Sequence, residues 1–330
     1  MHGPHRILTA LAAATTLLAL QSPAARATEA ARPAPAASSD PVFAAKALAT
    51  PNLPGVNDWF CKPSAAHPRP VVLVHGTIST GSVWAKQAPA YKAAGYCVFA
   101  LDYGRNDSIL SLWTGGVGPI AKSAKQLKTF VDGVLAATGT EQVDIVGFSQ
   151  GGVMPRQYMK FEDGAPKVHR LVGIAPTNHG TLSSSLLDGL LGEQPQLRSF
   201  LDWVLKLVGV GDILGVPCPA CGDQIAGSAF LKRLNEGSET QPGVSYTVLA
   251  TKVDNILNNY RDAFLKGPDV DNITIQDACP HHATPHSELA ADPVVTRLAL
   301  NALDPAHTEP PRCAAALKQR ALTRSTARHA

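Results

Sequence analysis

The sequence lacks a pronounced charge of either sign. It contains 29 lysine and arginine residues against 26 acidic ones, a formal net charge of +3, and only 17% of its 330 residues are charged. Proteins that bind nucleic acid or other polyanions normally concentrate positive charge. We therefore expect no nucleic-acid partner. Because 45% of the residues are hydrophobic, the chain can instead fill the core of one large domain.

Long apolar runs are also absent, except near the N-terminus. There Arg6 precedes an apolar stretch over residues 7–20, and Ala25-Arg26-Ala27 offers a cleavage site of the A-x-A type. This order is typical of a cleavable export signal. The alternative, a membrane anchor, would need about 20 apolar residues to span a bilayer. We therefore predict a signal peptide over residues 1–27 and a secreted, extracellular protein.

No motif in the sequence indicates a cofactor. The glycine-rich run Gly115-Gly116-Val117-Gly118 has neither dinucleotide-binding nor P-loop spacing, and no Lys-Ser/Thr pair follows it. We therefore expect no cofactor, and no residue is assigned to a metal ion.

The six cysteines are an even number, which permits complete pairing in an exported chain that meets an oxidising environment. A redox or zinc motif is the alternative for the C-x-x-C pattern. That alternative is disfavoured because the pattern occurs once and lacks the strand–helix context of thioredoxin. The disulfides that we predict are Cys61–Cys97, Cys218–Cys221 and Cys279–Cys313.

Strand and helix patterns alternate through the middle of the chain. Residues 71–74 form a continuous apolar run, which is typical of a strand buried on both faces. Residues 119–136 show helical spacing of apolar side chains. Further strand-like runs occur at 96–100, 142–146, 169–174, 244–249 and 272–275. The alternation predicts an α/β fold with a mostly parallel central sheet and helices on both faces.

Composition divides the chain into segments around this predicted domain. Residues 28–50 are rich in Ala, Pro and Ser and predict a flexible leader. The domain is predicted over 51–313, followed by a basic C-terminal tail over 314–330. A leucine-rich insertion at about 182–222 predicts a helical cap or lid. The alternative for its apolar stripe is a helix pair packed on the core.

The strongest chemical signal is Gly147-Phe148-Ser149-Gln150-Gly151, which has the pattern G-x-S-x-G. It directly follows a predicted buried strand and precedes a helical stretch, the context of a nucleophile elbow. We therefore predict Ser149 as a nucleophile. Gly147 and Gly151 would let neighbouring backbone approach the turn closely.

A serine nucleophile needs a histidine base and a carboxylate, and in this arrangement the chain order is serine, acid, histidine. Asp254 follows a late strand and is the predicted acid. The rivals are Asp223, Asp262, Asp271 and Asp277.

The predicted base is His286, which follows the final strand and opens a helical segment. His281 and His282 lie in the same loop and remain alternatives. His179 precedes the predicted acid in the chain and therefore has the wrong order.

An oxyanion hole needs two backbone N–H donors. Gln150, directly after the serine, is predicted to supply one. Thr77, in the His75-Gly76-Thr77 loop after the first strand, is predicted to supply the other, with His75 as a positioning residue.

Together these motifs resemble the class 2 lipase family, in particular secreted actinobacterial triacylglycerol lipases and esterases of the α/β-hydrolase superfamily. The matching segments are residues 57–59, 61–63, 72–77, 95–100, 147–151, 178–181, 251–254 and His286. The resemblance implies a Ser-Asp-His triad and carboxylic-ester substrates, with these roles on Ser149, Asp254 and His286. The chain departs from the family pattern after the acid, where Asn255 replaces a frequent second acidic residue.

The resulting hypothesis is a secreted lipase or carboxylesterase that cleaves lipid esters through an acyl-enzyme. Its expected partners are a lipid or other ester substrate and, transiently through the cap, a lipid interface; the protein is expected to be a monomer. An acyltransferase or polyester depolymerase with the same triad is the alternative. A non-catalytic secreted binding module is disfavoured because all triad residue types occur in the right order.

Overall fold

The computed structural model describes residues 40–107, 109–181 and 218–313, and within these ranges six parallel strands form one sheet. The predicted signal peptide, most of the predicted cap and the predicted C-terminal tail lie outside the described residues. The strands are Val71–Val74 (β1), Val98–Leu101 (β2), Val143–Phe148 (β3), Val168–Ile174 (β4), Ser245–Ala250 (β5) and Val270–Thr274 (β6). Their spatial order is β2-β1-β3-β4-β5-β6, so the predicted parallel sheet is confirmed.

Eight described helices surround this sheet. They are Pro41–Lys46 (α1), Ala88–Ala93 (α2), Ile120–Thr138 (α3), Gln150–Phe161 (α4), Pro219–Asp223 (α5), Ala229–Asn235 (α6), Ile275–Ala278 (α7) and Pro293–Leu303 (α8). Short 3-10 turns occur at Gly81–Lys86, Ile109–Leu112, Ala165–Lys167, Tyr260–Ala263 and His286–Ala291.

Both faces of the sheet are covered, because alternate strand residues point to opposite sides. Val72 and Val74 belong to one buried cluster with residues of α1 and α3. Val71 and Leu73 belong to a second cluster with residues of α2 and α8. Fully burying a side chain of this size contributes about 1.5–3 kcal/mol, so the two clusters stabilise the packing of the helices on the sheet. No described helix is long and apolar enough to cross a membrane.

The packed part of the domain starts earlier than the predicted boundary at residue 51. Helix α1 packs on α3, and its Ala45 is fully buried. The backbone N–H of Thr50 donates to the Ala100 carbonyl at 2.9 Å. Gly133 makes room for this contact, since a Cβ there would come within 2.2 Å of the Ala45 side chain. The composition of residues 28–50 predicts a flexible leader, but the described part of that segment includes the short packed helix α1.

The structure forms the three predicted disulfides. Cys61–Cys97 joins the segment before β1 to the residue directly before β2. Cys218–Cys221 closes the turn at α5, and Cys279–Cys313 ties the loop after α7 to the end of the described chain. Because the strands are parallel, their carboxyl ends lie at one edge of the sheet. Thr77, Ser149 and Asp254, which are predicted site residues, follow the strands β1, β3 and β5 at that edge.

Candidate active site

Ser149 occupies a strained turn between β3 and α4. Its backbone has φ +55° and ψ −122°, in the region with positive φ that non-glycine residues rarely adopt. A Cβ on Gly147 would lie 1.9 Å from the Gly151 carbonyl oxygen, and one on Gly151 would lie 2.1 Å from the Val74 carbonyl oxygen. Only glycines therefore fit on either side of this serine, as a nucleophile elbow requires.

Asp254 and His286 form a buried hydrogen-bonded pair beside that turn. The distance from His286 Nδ1 to Asp254 Oδ2 is 2.8 Å. The other oxygen, Oδ1, accepts the backbone N–H groups of Ile256 at 2.8 Å and Leu257 at 2.9 Å. The carboxylate is thus held by three donors.

The electrostatics of the pair keep Asp254 ionised. Burial by itself would raise the pKa of this carboxyl group. The charge of His286, its hydrogen bond and the N–H groups of Leu257 and Ile256 outweigh burial and lower the pKa below the ordinary value of 3.8. Because an ionised carboxylate can only accept, Nδ1 of His286 is the atom that donates in this pair.

The ring of His286 lies against the elbow, with its centroid 5.2 Å from that of Phe148. Its backbone N–H donates to Asn255 Oδ1 at 3.3 Å. In the sequence, Asn255 stands out only as a departure from the family pattern. Among the described residues, the Ser149 hydroxyl makes no hydrogen bond within 3.5 Å. Catalytic hydrogen bonds often tighten only when substrate binds.

The alternative histidines have other surroundings. His282 is buried and pairs with Asp292, with 3.0 Å between Nε2 and Oδ2. His281 is exposed. His179 pairs with Glu239 at 3.0 Å, and this hydrogen bond raises the pKa of the imidazole.

The rival acids are likewise engaged elsewhere or exposed. Asp223 accepts the first N–H of α3, from Ile120, at 2.9 Å. Asp262 forms a capping box with Asn259. The remaining rivals, Asp271 and Asp277, are exposed.

The loop after β1 places Gly76 next to Ser149 and Thr77 next to Gln150, whose Nε2 lies 3.0 Å from Thr77 Oγ1. A Cβ on Gly76 would lie 3.1 Å from the Ser149 Cβ. His75 is fully buried, and its Nδ1 donates to the Gly76 carbonyl at 2.8 Å. Burial is the largest influence on its pKa, which falls to about 4, so the ring is neutral.

His75 fixes the direction of a backbone donor. The Gly76 carbonyl and the Thr77 N–H belong to the same planar peptide and point in opposite directions. Holding the carbonyl therefore also holds the N–H. Tyr103, which the sequence did not indicate, supports the ring by stacking at 4.2 Å and by donating its backbone N–H to Nε2 at 3.3 Å.

The second predicted donor is the backbone N–H of Gln150, the first residue of α4. A helix N-terminus has N–H groups without intrahelical partners and favours a developing negative charge. No group of three or more potential metal ligands occurs in the described ranges. The arrangement can therefore activate a hydroxyl, orient an imidazole and stabilise an oxyanion.

Sequence comparison supports this description. A sequence model of the family described as Lipase (class 2) matches residues 68–298, which is well over half of the chain and includes all five predicted catalytic and donor residues. A comparison with curated proteins found no match.

Comparison with solved structures identifies the fold. Lipase B of Aspergillus fumigatus matches with a TM-score of 0.54 at 17% identity, over 74% of this chain and 54% of that one, so the chain spans about half the length of that lipase. Its likeness shows an α/β-hydrolase fold. A Bacillus licheniformis lipase in mature form matches with a TM-score of 0.45 at 16% identity over 64% and 84% of the two chains. A Rhodococcus esterase matches with a TM-score of 0.46 at 19% identity over 74% and 93%.

Proposed function

The chain belongs to the class 2 lipase family of carboxylic ester hydrolases, and on this premise we propose that Ser149, His286 and Asp254 form its catalytic triad. The observation that carries the proposal is the buried 2.8 Å bond between His286 and Asp254, beside a serine in a strained elbow. Residue order along the chain agrees with the order expected for this fold.

In the proposed reaction, Ser149 Oγ attacks the ester carbonyl carbon while His286 Nε2 takes the hydroxyl proton. Asp254 remains ionised and stabilises the imidazolium. The backbone N–H groups of Gln150 and Thr77 bind the oxyanion, where one donor typically contributes about 3 kcal/mol. The intermediate then expels the alcohol, which receives the proton from His286. Water, activated by the same histidine, attacks the acyl-enzyme and releases the acid.

The proposed substrates are carboxylic esters of lipids. Support comes from the family and from the leucine-rich sequence at about 182–222, which would supply an apolar wall or cap. Most of that segment, residues 182–217, lies outside the described residues, so its role as a cap and its contact with lipid interfaces rest on sequence alone.

We further propose that the protein is secreted, as the resemblance to actinobacterial lipases suggests. The N-terminal sequence has the order of an export signal, and three disulfides are compatible with an oxidising compartment. N-terminal sequencing of protein recovered from the culture medium should begin after Ala27. Recovery only from the cytoplasm, with an intact N-terminus, would contradict secretion.

Reaction with a fluorophosphonate, followed by peptide mass spectrometry, tests the nucleophile directly. We expect one adduct, on Ser149, and turnover of p-nitrophenyl esters that disappears in step with labelling. Rates across esters of increasing acyl length then report the substrate class.

Two variants control this experiment. Ser149→Ala should take up no label and lose turnover, whereas Ser64→Ala, in an exposed loop before β1, should behave like the unmodified protein. Labelling of another serine, or no ester turnover by folded wild-type protein, would overturn the proposed function.

A further inference from the structure

The candidate acid and base lie on different segments at the carboxyl edge of the sheet. Asp254 ends the turn that follows β5, and its backbone N–H donates to the Thr251 carbonyl at 3.1 Å. His286 comes after the loop that follows α7. The 2.8 Å bond between the acid and the base therefore joins two separate loops. A change in the spacing of these loops would change that bond.

The side chain of Gln276, in α7, connects the two loops. Gln276 Oε1 accepts the backbone N–H of Lys252 at 3.0 Å, and Nε2 donates to the Thr251 hydroxyl oxygen at 2.9 Å. Nε2 also donates to the backbone carbonyl of His282 at 2.9 Å. Two of the three bonds thus hold the start of the turn after β5, and the third holds the loop that leads to His286.

The orientation of the Gln276 amide is fixed by its partners. A backbone N–H can only donate and a carbonyl oxygen can only accept, so Oε1 must face Lys252 and Nε2 must face His282. The second hydrogen of the NH₂ group is used by Thr251. Gln276 is only 9% exposed, and Thr251 is fully buried. Removal of the amide would therefore leave buried polar groups without partners.

The bond to His282 involves its carbonyl group and is separate from the bond of its imidazole to Asp292. Gln276 and Asp292 thus hold the same loop at two different points. Another connection between the two loops runs from the His286 N–H to Asn255 Oδ1, but it is longer, at 3.3 Å, and Asn255 is exposed. The bridge through Gln276 is the better shielded of these two connections.

We propose that Gln276 is a positioning residue for the reaction. By tying the two loops together, it sets the distance and the angle of the bond between Asp254 and His286. This inference rests on the proposed function. Gln276 contacts no reacting atom and transfers no proton, so it acts only through the spacing of the loops. A misplacement of about 1 Å, caused far from the chemistry, can cost about 100-fold in rate.

Gln276→Met tests the bridge, because it keeps a side chain of similar length without the amide. We expect kcat to fall about 10- to 100-fold with KM little changed. The rate of fluorophosphonate labelling of Ser149 should fall by a similar factor, because labelling also needs His286 as the base. Thr251→Val removes one of the three bonds and is the milder variant. It should show the same changes at a smaller size, also where Gln276→Met does not fold.

Proton NMR separates positioning from general stability. The proton between His286 Nδ1 and Asp254 Oδ2 gives a downfield resonance that depends on the length of this bond, and we expect it to move upfield or broaden in Gln276→Met. Asn272→Leu is the matched control. The Asn272 side chain, in β6, also bonds a backbone N–H and a carbonyl, those of Leu265, at 3.1 and 2.9 Å, but holds a different segment. This control should keep wild-type kcat and resonance, even with a lower Tm.

A double variant tests whether the bridge acts through the acid. In the Asp254→Asn background, Gln276→Met should add little further loss of kcat, because the bond that the bridge positions is already lost. Asn272→Leu should leave kcat unchanged in both backgrounds.

The outcomes separate this inference from the proposed function. If wild-type protein turns over esters and Ser149→Ala does not, but folded Gln276→Met keeps wild-type kcat, the bridge is refuted and the triad stands. An additive loss in the Asp254→Asn background, an unchanged resonance beside a lower kcat, or an equal loss in Asn272→Leu would refute the positioning role. Absence of ester turnover in the wild type would refute the proposed function itself.

Discussion

Two histidine–aspartate pairs lie close together in the chain, yet only one lies beside the candidate nucleophile. His286 bonds Asp254 at 2.8 Å, and His282 bonds Asp292 at 3.0 Å. All four side chains are almost fully buried. Distance and burial therefore do not distinguish the two pairs.

Their remaining contacts do distinguish them. Asp292 uses its second oxygen to cap α8, accepting the N–H of Val294 at 2.8 Å, and also accepts the Thr284 hydroxyl at 2.6 Å. Within the ranges that the structure describes, His282 Nδ1 is buried and has no hydrogen-bond partner. By contrast, His286 packs on Phe148, directly before Ser149. The pair of His282 and Asp292 thus caps a helix, while the pair of His286 and Asp254 lies beside Ser149 and is the one to which the proposed function assigns chemistry.

The largest expected difference between the pairs concerns the two histidines. His286→Ala should lower kcat on the order of 10⁶-fold, and Ser149→Ala/His286→Ala should be no worse, because the residues act as a unit. His282→Ala should keep most turnover but lose about 1–3 kcal/mol of unfolding free energy, since it removes a buried hydrogen bond. Steady-state kinetics and urea unfolding measure the two effects. A folded His282→Ala protein as inactive as His286→Ala would show that the base is wrongly assigned.

The two aspartates should show a smaller contrast. Asp254→Asn should reduce kcat by about 10⁴-fold, because an amide favours the wrong tautomer of His286. Asp292→Asn keeps an oxygen able to cap α8, so its main effect should be a lower Tm with kcat largely retained. Equal losses of kcat in both variants, at temperatures where both are folded, would contradict the assignment of the catalytic acid to Asp254 alone.

The Cys279–Cys313 disulfide holds the start of the loop that carries both histidines. Its removal by Cys279→Ser/Cys313→Ser should cost about 3–4 kcal/mol of unfolding free energy, by the chain-entropy model for its separation of 34 residues. Cys218→Ser/Cys221→Ser, which opens a separation of only 3 residues, should cost less stability. Urea unfolding of the two double variants tests that order, and the reverse order would contradict it.

Features that are local in the chain could be predicted from the sequence. The glycines around Ser149 indicate a turn in which the backbone is closely approached, which is the elbow. The continuous apolar runs indicate buried strands, and hence the sheet. Asp292 also has a local signal, since an aspartate before proline and an apolar run is a typical helix start. The pairing of Asp292 with His282 has no local sequence signal. An aspartate that only caps a helix and one that also binds a histidine look the same in the sequence.

Residues joined only by the fold could not be predicted in this way. Gln224 forms a hydrogen bond with Thr77 across a separation of 147 residues. No spacing pattern in the sequence indicates the partner of a buried glutamine. Tyr103 and His75 are similarly brought together by the pairing of β1 and β2. Helix α1 could not be predicted either, because its short, alanine-containing sequence has no clear helical spacing of large apolar residues.

The smallest expected effect concerns acid stability and tests whether both carboxylates stay ionised. Burial would raise the pKa of Asp292, but hydrogen bonds from His282 and Thr284 outweigh it, so its pKa, like that of Asp254, lies below 3.8. A group with a lowered folded-state pKa binds more protons when unfolded. Its stabilisation is therefore present above its unfolded pKa and is lost as pH falls through the folded value.

Asp292→Asn removes one such group, so its Tm should fall less than that of wild type between about pH 5 and about pH 2. Asp254→Asn should show the same reduced slope, although its kcat is far lower. If Asp292→Asn and wild type lost Tm in parallel, Asp292 would not be held ionised by His282 and Thr284. The two pairs would then differ in electrostatics as well as in position, because the carboxylate of Asp254 alone would be stabilised by its histidine.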